Sequence, residues 1–237
     1  MKKRPKTIVV ILVAVIAAFG IATEIYANNY YHAVDIDEYI TSNATVTISQ
    51  IDEGYIFDGP GEDKALIFYP GAKVEETAYA PIMKSLAEQG VDCFLIKMPM
   101  KLAFFGASKA DDIRAEYQYD NYYLAGHSLG GAMAANYAAD HSNDYSGLFL
   151  LAAYPTKDIT ATRFPIVFLY GDNDKVLNRK KLEVGFTLIP QNYKAVEIAG
   201  GNHAQFGSYG AQDGDGTATI TPEEQWEITV NTIMNNL

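Results

Sequence analysis

The stretch Asn121-Tyr122-Tyr123-Leu124-Ala125-Gly126-His127-Ser128-Leu129-Gly130-Gly131-Ala132 decides how the chain is read. Residues 121–125 are mostly aromatic and apolar and predict a strand, while the alanine-rich residues 132–141 predict a helix. Between them, Gly126-His127-Ser128-Leu129-Gly130 fits G-x-S-x-G, a sharp strand-to-helix turn with serine at its apex. The turn forces an unusual backbone conformation on the serine and exposes its hydroxyl, and the flanking glycines let neighbouring chain approach closely. The hydroxyl faces the positive end of the following helix, where free amides can bind a developing oxyanion.

On both sides of this turn, short apolar runs alternate with helical periodicities. Residues 45–51 and 55–58 predict a hairpin about Asp52-Glu53-Gly54. Strands are expected over 65–69, 91–97, 147–153, 166–170 and 195–198, and helices over 77–89, 108–117, 182–189 and 222–234. The helix over 77–89 carries Tyr79, Ile82, Met83, Leu86 and Ala87 on one face and stops at Gly90. The strands are continuously apolar rather than alternating, the pattern of a mostly parallel sheet covered by helices on both faces. The expected class is α/β.

A serine hydroxyl is a weak nucleophile and needs a base that is itself oriented by an acid. The order serine, acid, histidine holds along this chain. Gly171-Asp172-Asn173-Asp174 follows the strand at 166–170, and Gly200-Gly201-Asn202-His203 follows the strand at 195–198. Both therefore lie at the strand edge that carries Ser128, where open α/β sheets place their sites. Of the four histidines, His32 lies near the N-terminal apolar run, His127 lies inside the turn and His141 ends a helix, which leaves His203 as the base. Asp172 and Asp174 are both candidates for the acid, and the Gly-x-x-Asp spacing favours Asp174. For the oxyanion hole, the loop Pro70-Gly71-Ala72-Lys73 offers the amide of Ala72, opposite that of Leu129.

Composition bounds the rest. The 237 residues carry 18 Lys+Arg against 29 Asp+Glu, a net charge of −11. Lys2, Lys3, Arg4 and Lys6 precede any acid, so from Glu24 onward 14 basic face 29 acidic residues, or −15. Such a body repels phosphate backbones, which excludes nucleic acid as an expected partner. Apolar residues at 49% and charged ones at 20% fit a folded globular chain. One cysteine, Cys93, excludes an internal disulfide and a cysteine zinc cluster, and its apolar neighbours predict burial.

Residues 7–23 form an uncharged, mostly apolar run, about 25 Å long as a helix against a hydrocarbon core of roughly 30 Å. The expectation is an uncleaved anchor that leaves the basic tip cytoplasmic and the acidic body outside the cell membrane. The alternative is a signal peptide cleaved after Ala27 and a secreted protein, to which Ile25 is a poor fit. The chain thus reads as tip and anchor over 1–27, a juxtamembrane segment over 28–44 and one domain over 45–237.

With these motifs in place, the chain resembles the α/β-hydrolases, and within them the bacterial fold-5 family of esterases. The resemblance rests on Phe68-Tyr69-Pro70-Gly71, Tyr79-Ala80-Pro81, Lys97-Met98-Pro99, the segment from Ala125 to Met133, Leu151-Ala152-Ala153-Tyr154-Pro155, Gly171-Asp172-Asn173-Asp174 and the segment from Gly200 to Gly207. It implies Ser128 as nucleophile, Asp174 as acid and His203 as base, with Gly126, His127 and Gly130 forming the elbow. It also implies hydrolysis of an ester-like bond without cofactor or metal. Where many relatives have proline after the acid, this chain has Asn178. Dienelactone hydrolases, a related group, use a cysteine where this chain has Ser128. Only 12 residues separate Ala153 from Ile166, too few for a large lid domain.

Met98, Met100, Phe104 and Phe105 are candidates for an acyl pocket, or equally for packing of their loop. Asp213, Asp215, Thr217 and Glu224 echo a calcium loop, although Ala218 stands where its glycine belongs, so a plain Gly-Asp loop is preferred. The expected function is a serine hydrolase cleaving a small, neutral ester through an acyl-enzyme. Alternatives are an acyltransferase with the same triad or a non-catalytic binding protein of this fold.

Overall fold

The computed structural model describes residues 5–237. They fall into two compact units that part between Tyr30 and Tyr31. The first unit holds helix α1 (Pro5–Asn28), whose apolar side chains, from Val9 and Val10 to Phe19 and Ile21, are exposed. Among the described residues no helix is long and apolar enough to cross a membrane. The transmembrane anchor expected over 7–23 is therefore not found. The uncharged run measures only about 25 Å between Lys6 and Glu24, short of a hydrocarbon core. Lys2, Lys3 and Arg4 of the basic tip lie outside the described residues.

The second unit is built on eight strands: β1 (Thr47–Ile51), β2 (Gly54–Asp58), β3 (Lys64–Tyr69), β4 (Asp92–Ile96), β5 (Asn121–His127), β6 (Gly147–Leu151), β7 (Ile166–Gly171) and β8 (Lys194–Ile198). They lie in the order β1-β2-β4-β3-β5-β6-β7-β8, with β1 and β2 antiparallel to their neighbours and the rest parallel. The chain moves outward from β3 to β4, then returns past β3 to β5. That reversal opens a crevice beyond the carboxyl ends of β3 and β5, the position where such sheets bind ligands.

The continuous apolar strands follow from burial on both faces. Along β3, Ala65, Ile67 and Tyr69 pack into one core while Leu66 and Phe68 pack into the other, all fully buried. Successive side chains alternate across a strand, so a sheet covered twice has no polar side. Helices α2 (Ala80–Glu88) and α6 (Pro222–Met234) cover the face of Phe68 through Ile82, Met83, Leu86, Trp226, Val230 and Ile233. On the opposite face lie α3 (Lys109–Glu116), α4 (Leu129–Asp140) and α5 (Arg179–Phe186), packed through Ile113, Ala134, Ala135, Ala138 and Leu182. Cys93 is buried.

Residues from Tyr31 onward, expected as juxtamembrane chain, pack on this unit. Tyr31 bridges to Val74, donates to the Lys73 carbonyl and accepts from Glu75, while Val34 donates to the Ser208 carbonyl. Between β6 and β7, residues 152–165 form turns and extended chain rather than a helical insertion. The fold therefore has no large lid domain.

Candidate active site

Ser128 sits between the last residue of β5 and the first of α4, with φ 52 and ψ −123. A left-handed φ on a side-chain-bearing residue is strained and persists only where surrounding structure enforces it. Here the Ser128 amide donates to the Leu151 carbonyl at 2.9 Å, and its carbonyl accepts from Ala132 at 3.1 Å. The tight approach of α4 depends on Gly130, where a Cβ would lie 2.1 Å from the Tyr69 carbonyl oxygen. Helix α4 starts at Leu129, directly after the serine and three residues before the expected start at 132.

Both candidate acids follow β7, and the structure gives them different tasks. Asp174 is 3% exposed and its Oδ2 lies 2.8 Å from His203 Nδ1. Its Oδ1 accepts from the backbone of Val176 at 2.9 Å and Leu177 at 2.8 Å, which fixes the carboxylate. Asp172 instead accepts from the Gly200 amide at 2.8 Å, tying the acid loop to the base loop. Asp174 is thus the partner of His203. The carboxylate accepts from Nδ1–H, which leaves Nε2 of His203 as the acceptor side of the ring. Asn178 caps α5 by accepting from the Lys181 amide.

Ser128 and His203 line one cavity of about 240 Å³, together with Leu129, Ala132, Ala152, Ala153, Tyr154, Thr156, Val176, Leu177 and Asn178. Ala152 shares the positive φ of Ser128, at 46°, so two strained residues wall the same space. A larger cavity of about 510 Å³ borders Asn202, Ala204 and Gln205 but reaches neither Ser128 nor His203. Ser128 and His203 both open into the smaller one. Met98, Met100, Phe104 and Phe105 do not line it, so of the two readings open to them the acyl pocket falls away. Met98 turns into the core, while Phe104 and Phe105 stack edge to face on the exposed loop.

Leu129 contributes its amide at the first position of α4, where helical amides have no internal acceptor. Ala72 lies in the turn after β3, between Gly71, whose amide goes to Tyr79 Oη, and Lys73, whose amide goes to the Lys101 carbonyl. Among the described residues neither the Ala72 nor the Leu129 amide donates to a protein acceptor. His127, the last residue of β5, points away from solvent and contacts the His203 ring at 4.5 Å between centroids.

Asp215, in the Gly-Asp loop singled out above, has a role beside the site that spacing alone does not show. Its carboxylate accepts from the amides of Lys175 at 3.2 Å, Ala204 at 2.9 Å and Gly216 at 2.8 Å. It thereby joins the residue after Asp174 to the residue after His203. Glu224, at the last position of the calcium-loop echo, closes a capping box with Thr221. Gln225 completes the frame by accepting from the Asn202 amide and donating to the Asn202 carbonyl.

An eight-stranded, mostly parallel sheet with a strained serine elbow and a buried histidine–aspartate pair at its crevice defines the α/β-hydrolase class. A profile of the alpha/beta hydrolase family matches residues 65–227, and the chain belongs to that family. The solved structure of a "predicted CIB-like hydrolase" from Thermoplasma acidophilum superposes with a TM-score of 0.60 at 15% identity, covering 80% of this chain and 98% of that one. At that identity the likeness speaks for the fold. No curated protein matches the chain. Family membership supports a hydrolase.

Proposed function

We propose that the protein is a serine esterase that cleaves small, neutral carboxylic esters. One observation carries this: Ser128, strained at φ 52, and His203, bonded to Asp174, face a single cavity of about 240 Å³. Ser128 Oγ would attack the ester carbonyl while His203 Nε2 takes its proton, the imidazolium being stabilised by Asp174. The amides of Ala72 and Leu129 would hold the oxyanion. His203 then returns the proton to the departing alcohol, leaving Ser128 acylated. Water gives its proton to His203, attacks the acyl carbon, and frees the acid and the Ser128 hydroxyl. The walls supplied by Ala132, Ala152 and Ala153 suit a short acyl group, and the −15 body disfavours anionic substrates.

The test is labelling with an alkyl fluorophosphonate. The wild type should label and Ser128→Ala should not; an unlabelled wild type, or equal labelling of both, overturns the proposal. A series of p-nitrophenyl esters then reads acyl length, with activity expected to fall beyond short chains.

A location at the outer face of a cell membrane is proposed on sequence grounds alone, from the basic tip and the uncharged run at 7–23; no membrane-crossing helix among the described residues supports it. Fractionation combined with protease treatment of whole cells tests it; a protected or purely soluble domain counts against it.

A further inference from the structure

Behind the nucleophile, three buried groups form a chain of hydrogen bonds that the triad does not use. The Gly71 amide donates to Tyr79 Oη at 3.0 Å, and Tyr79 Oη lies 2.8 Å from His127 Nδ1. Tyr79 is 0% and His127 1% exposed. With the Gly71 amide already donating to Tyr79 Oη, the one proton of the phenol is assigned to the bond toward His127 Nδ1. His127 is then a neutral ring with its own proton on Nε2. That nitrogen is buried without a hydrogen-bond partner among the described residues.

The charges around it agree with neutrality. Burial holds the His127 imidazole well below the ordinary histidine range, and the neighbouring His203 ring pushes the same way, against a smaller pull from the His203 carbonyl. Burial also pushes the Tyr79 phenol well above its ordinary value, so it keeps its proton. The Tyr79 ring is wedged between Phe68 and Tyr209, with centroids at 4.8 and 6.5 Å, so the hydroxyl has a fixed position. At Gly71 a Cβ would lie 2.8 Å from both His127 Nδ1 and Tyr79 Oη, so loop, phenol and imidazole are in contact with no space between.

We propose that Tyr79 and His127 are positioning residues for the oxyanion loop. By capturing the Gly71 amide, they fix the turn that leaves the next amide, that of Ala72, free for the oxyanion. The same neutral ring forms a rigid wall against His203. Glu75 and Lys101, on either side of the loop, bind Tyr31 and Lys73 through backbone groups, so the turn is clamped at three points, of which Tyr79 is the buried one.

The proposal rests on the serine-esterase reading, and its test separates the two. Tyr79→Phe, His127→Leu and His127→Asn are compared with wild type on p-nitrophenyl acetate, with thermal melting confirming that each is folded. Asparagine keeps an acceptor where Nδ1 stood; leucine does not. Tyr79→Phe and His127→Leu are expected to lose about 10-fold to 100-fold in kcat, a size typical of small misplacements at a reacting centre, with KM within about 3-fold. His127→Asn is expected to recover most of that loss. Nitrogen-15 NMR of wild type should show Nδ1 of His127 unprotonated and Nε2 protonated, whether or not the enzyme turns over. Folded Tyr79→Phe with wild-type kcat, an asparagine variant as slow as the leucine one, or a protonated Nδ1 would each overturn the proposal. A wild type that neither labels with fluorophosphonate nor turns over would instead overturn the esterase reading beneath it.

Discussion

His203 holds its Nδ1 at 2.8 Å from Asp174 Oδ2, and the other Asp174 oxygen is held by two backbone amides, those of Val176 and Leu177. The carboxylate therefore has no freedom to choose another partner. An amide in its place would present the wrong tautomer of His203 to Ser128, so Asp174→Asn is expected to lose about 10³-fold to 10⁴-fold in kcat on p-nitrophenyl acetate. Asp172→Asn keeps the acceptor for Gly200 and is expected to stay within about 3-fold of wild type. Equal losses in the two variants would remove Asp174 from the triad.

Asp215 makes a second, testable link. Without its carboxylate the amides of Lys175 and Ala204 lose their common acceptor, and the loops carrying Asp174 and His203 are no longer joined there. Asp215→Ala should lower kcat by about 10-fold through misalignment of the pair, and lower stability by about 1–3 kcal/mol. Steady-state kinetics and urea unfolding read the two effects; a stability loss with unchanged kcat would reduce Asp215 to a structural role.

A pH dependence follows from the depressed affinity of His127 for protons, whose largest cause is burial and whose second is His203. The folded chain leaves His127 neutral, while in the unfolded chain it titrates near about 6.5. Below that pH the unfolded state binds the extra proton, so stability falls with falling pH, by up to about 1.4 kcal/mol per unit from this residue. Above it the contribution is constant. Urea unfolding of His127→Asn should show a shallower loss between about pH 6 and pH 5 than wild type. Parallel curves would mean that His127 takes up its proton in the fold. Tyr79 and His203 are the titratable side chains in ring contact with it, and both are retained in that variant.

Acyl length should respond to Tyr154, which lines the cavity and presses against Gly185 on α5. Tyr154→Ala opens that wall, and the preferred p-nitrophenyl ester is expected to move to a longer chain, each added methylene gaining about 1 kcal/mol or less of binding. An unchanged profile would place the acyl group elsewhere.

The strand-to-helix turn at Ser128, the order of acid and base, and the parallel sheet were all legible because each rests on local rules. Glycines flank a strained turn, continuous apolar runs fill a doubly covered sheet, and strand ends carry polar loops. Where distance along the chain hides contact, residue types leave alternatives open. Met98 and Phe104 sit next to a strand end in sequence, yet one packs inward and the other outward, so neither reaches the cavity. Tyr79 appeared only as an apolar position on a helical face, since periodicity reports burial and not what a buried hydroxyl meets.

By itself, then, the sequence determined the α/β class and singled out Ser128 and His203 as candidates, because strained turns and buried strands leave marks on neighbouring residues. Only the tertiary structure decided between Asp172 and Asp174, which lie two residues apart in one loop. It also joined Asp215 to both catalytic loops, and Gly71 to His127 through Tyr79. Those are contacts across 8 to 48 residues of chain, set by how β3, β5, β7 and β8 lie side by side. Hydrogen bonds depend on distances of a few tenths of an ångström, and no pattern of residue types fixes these before the sheet is assembled.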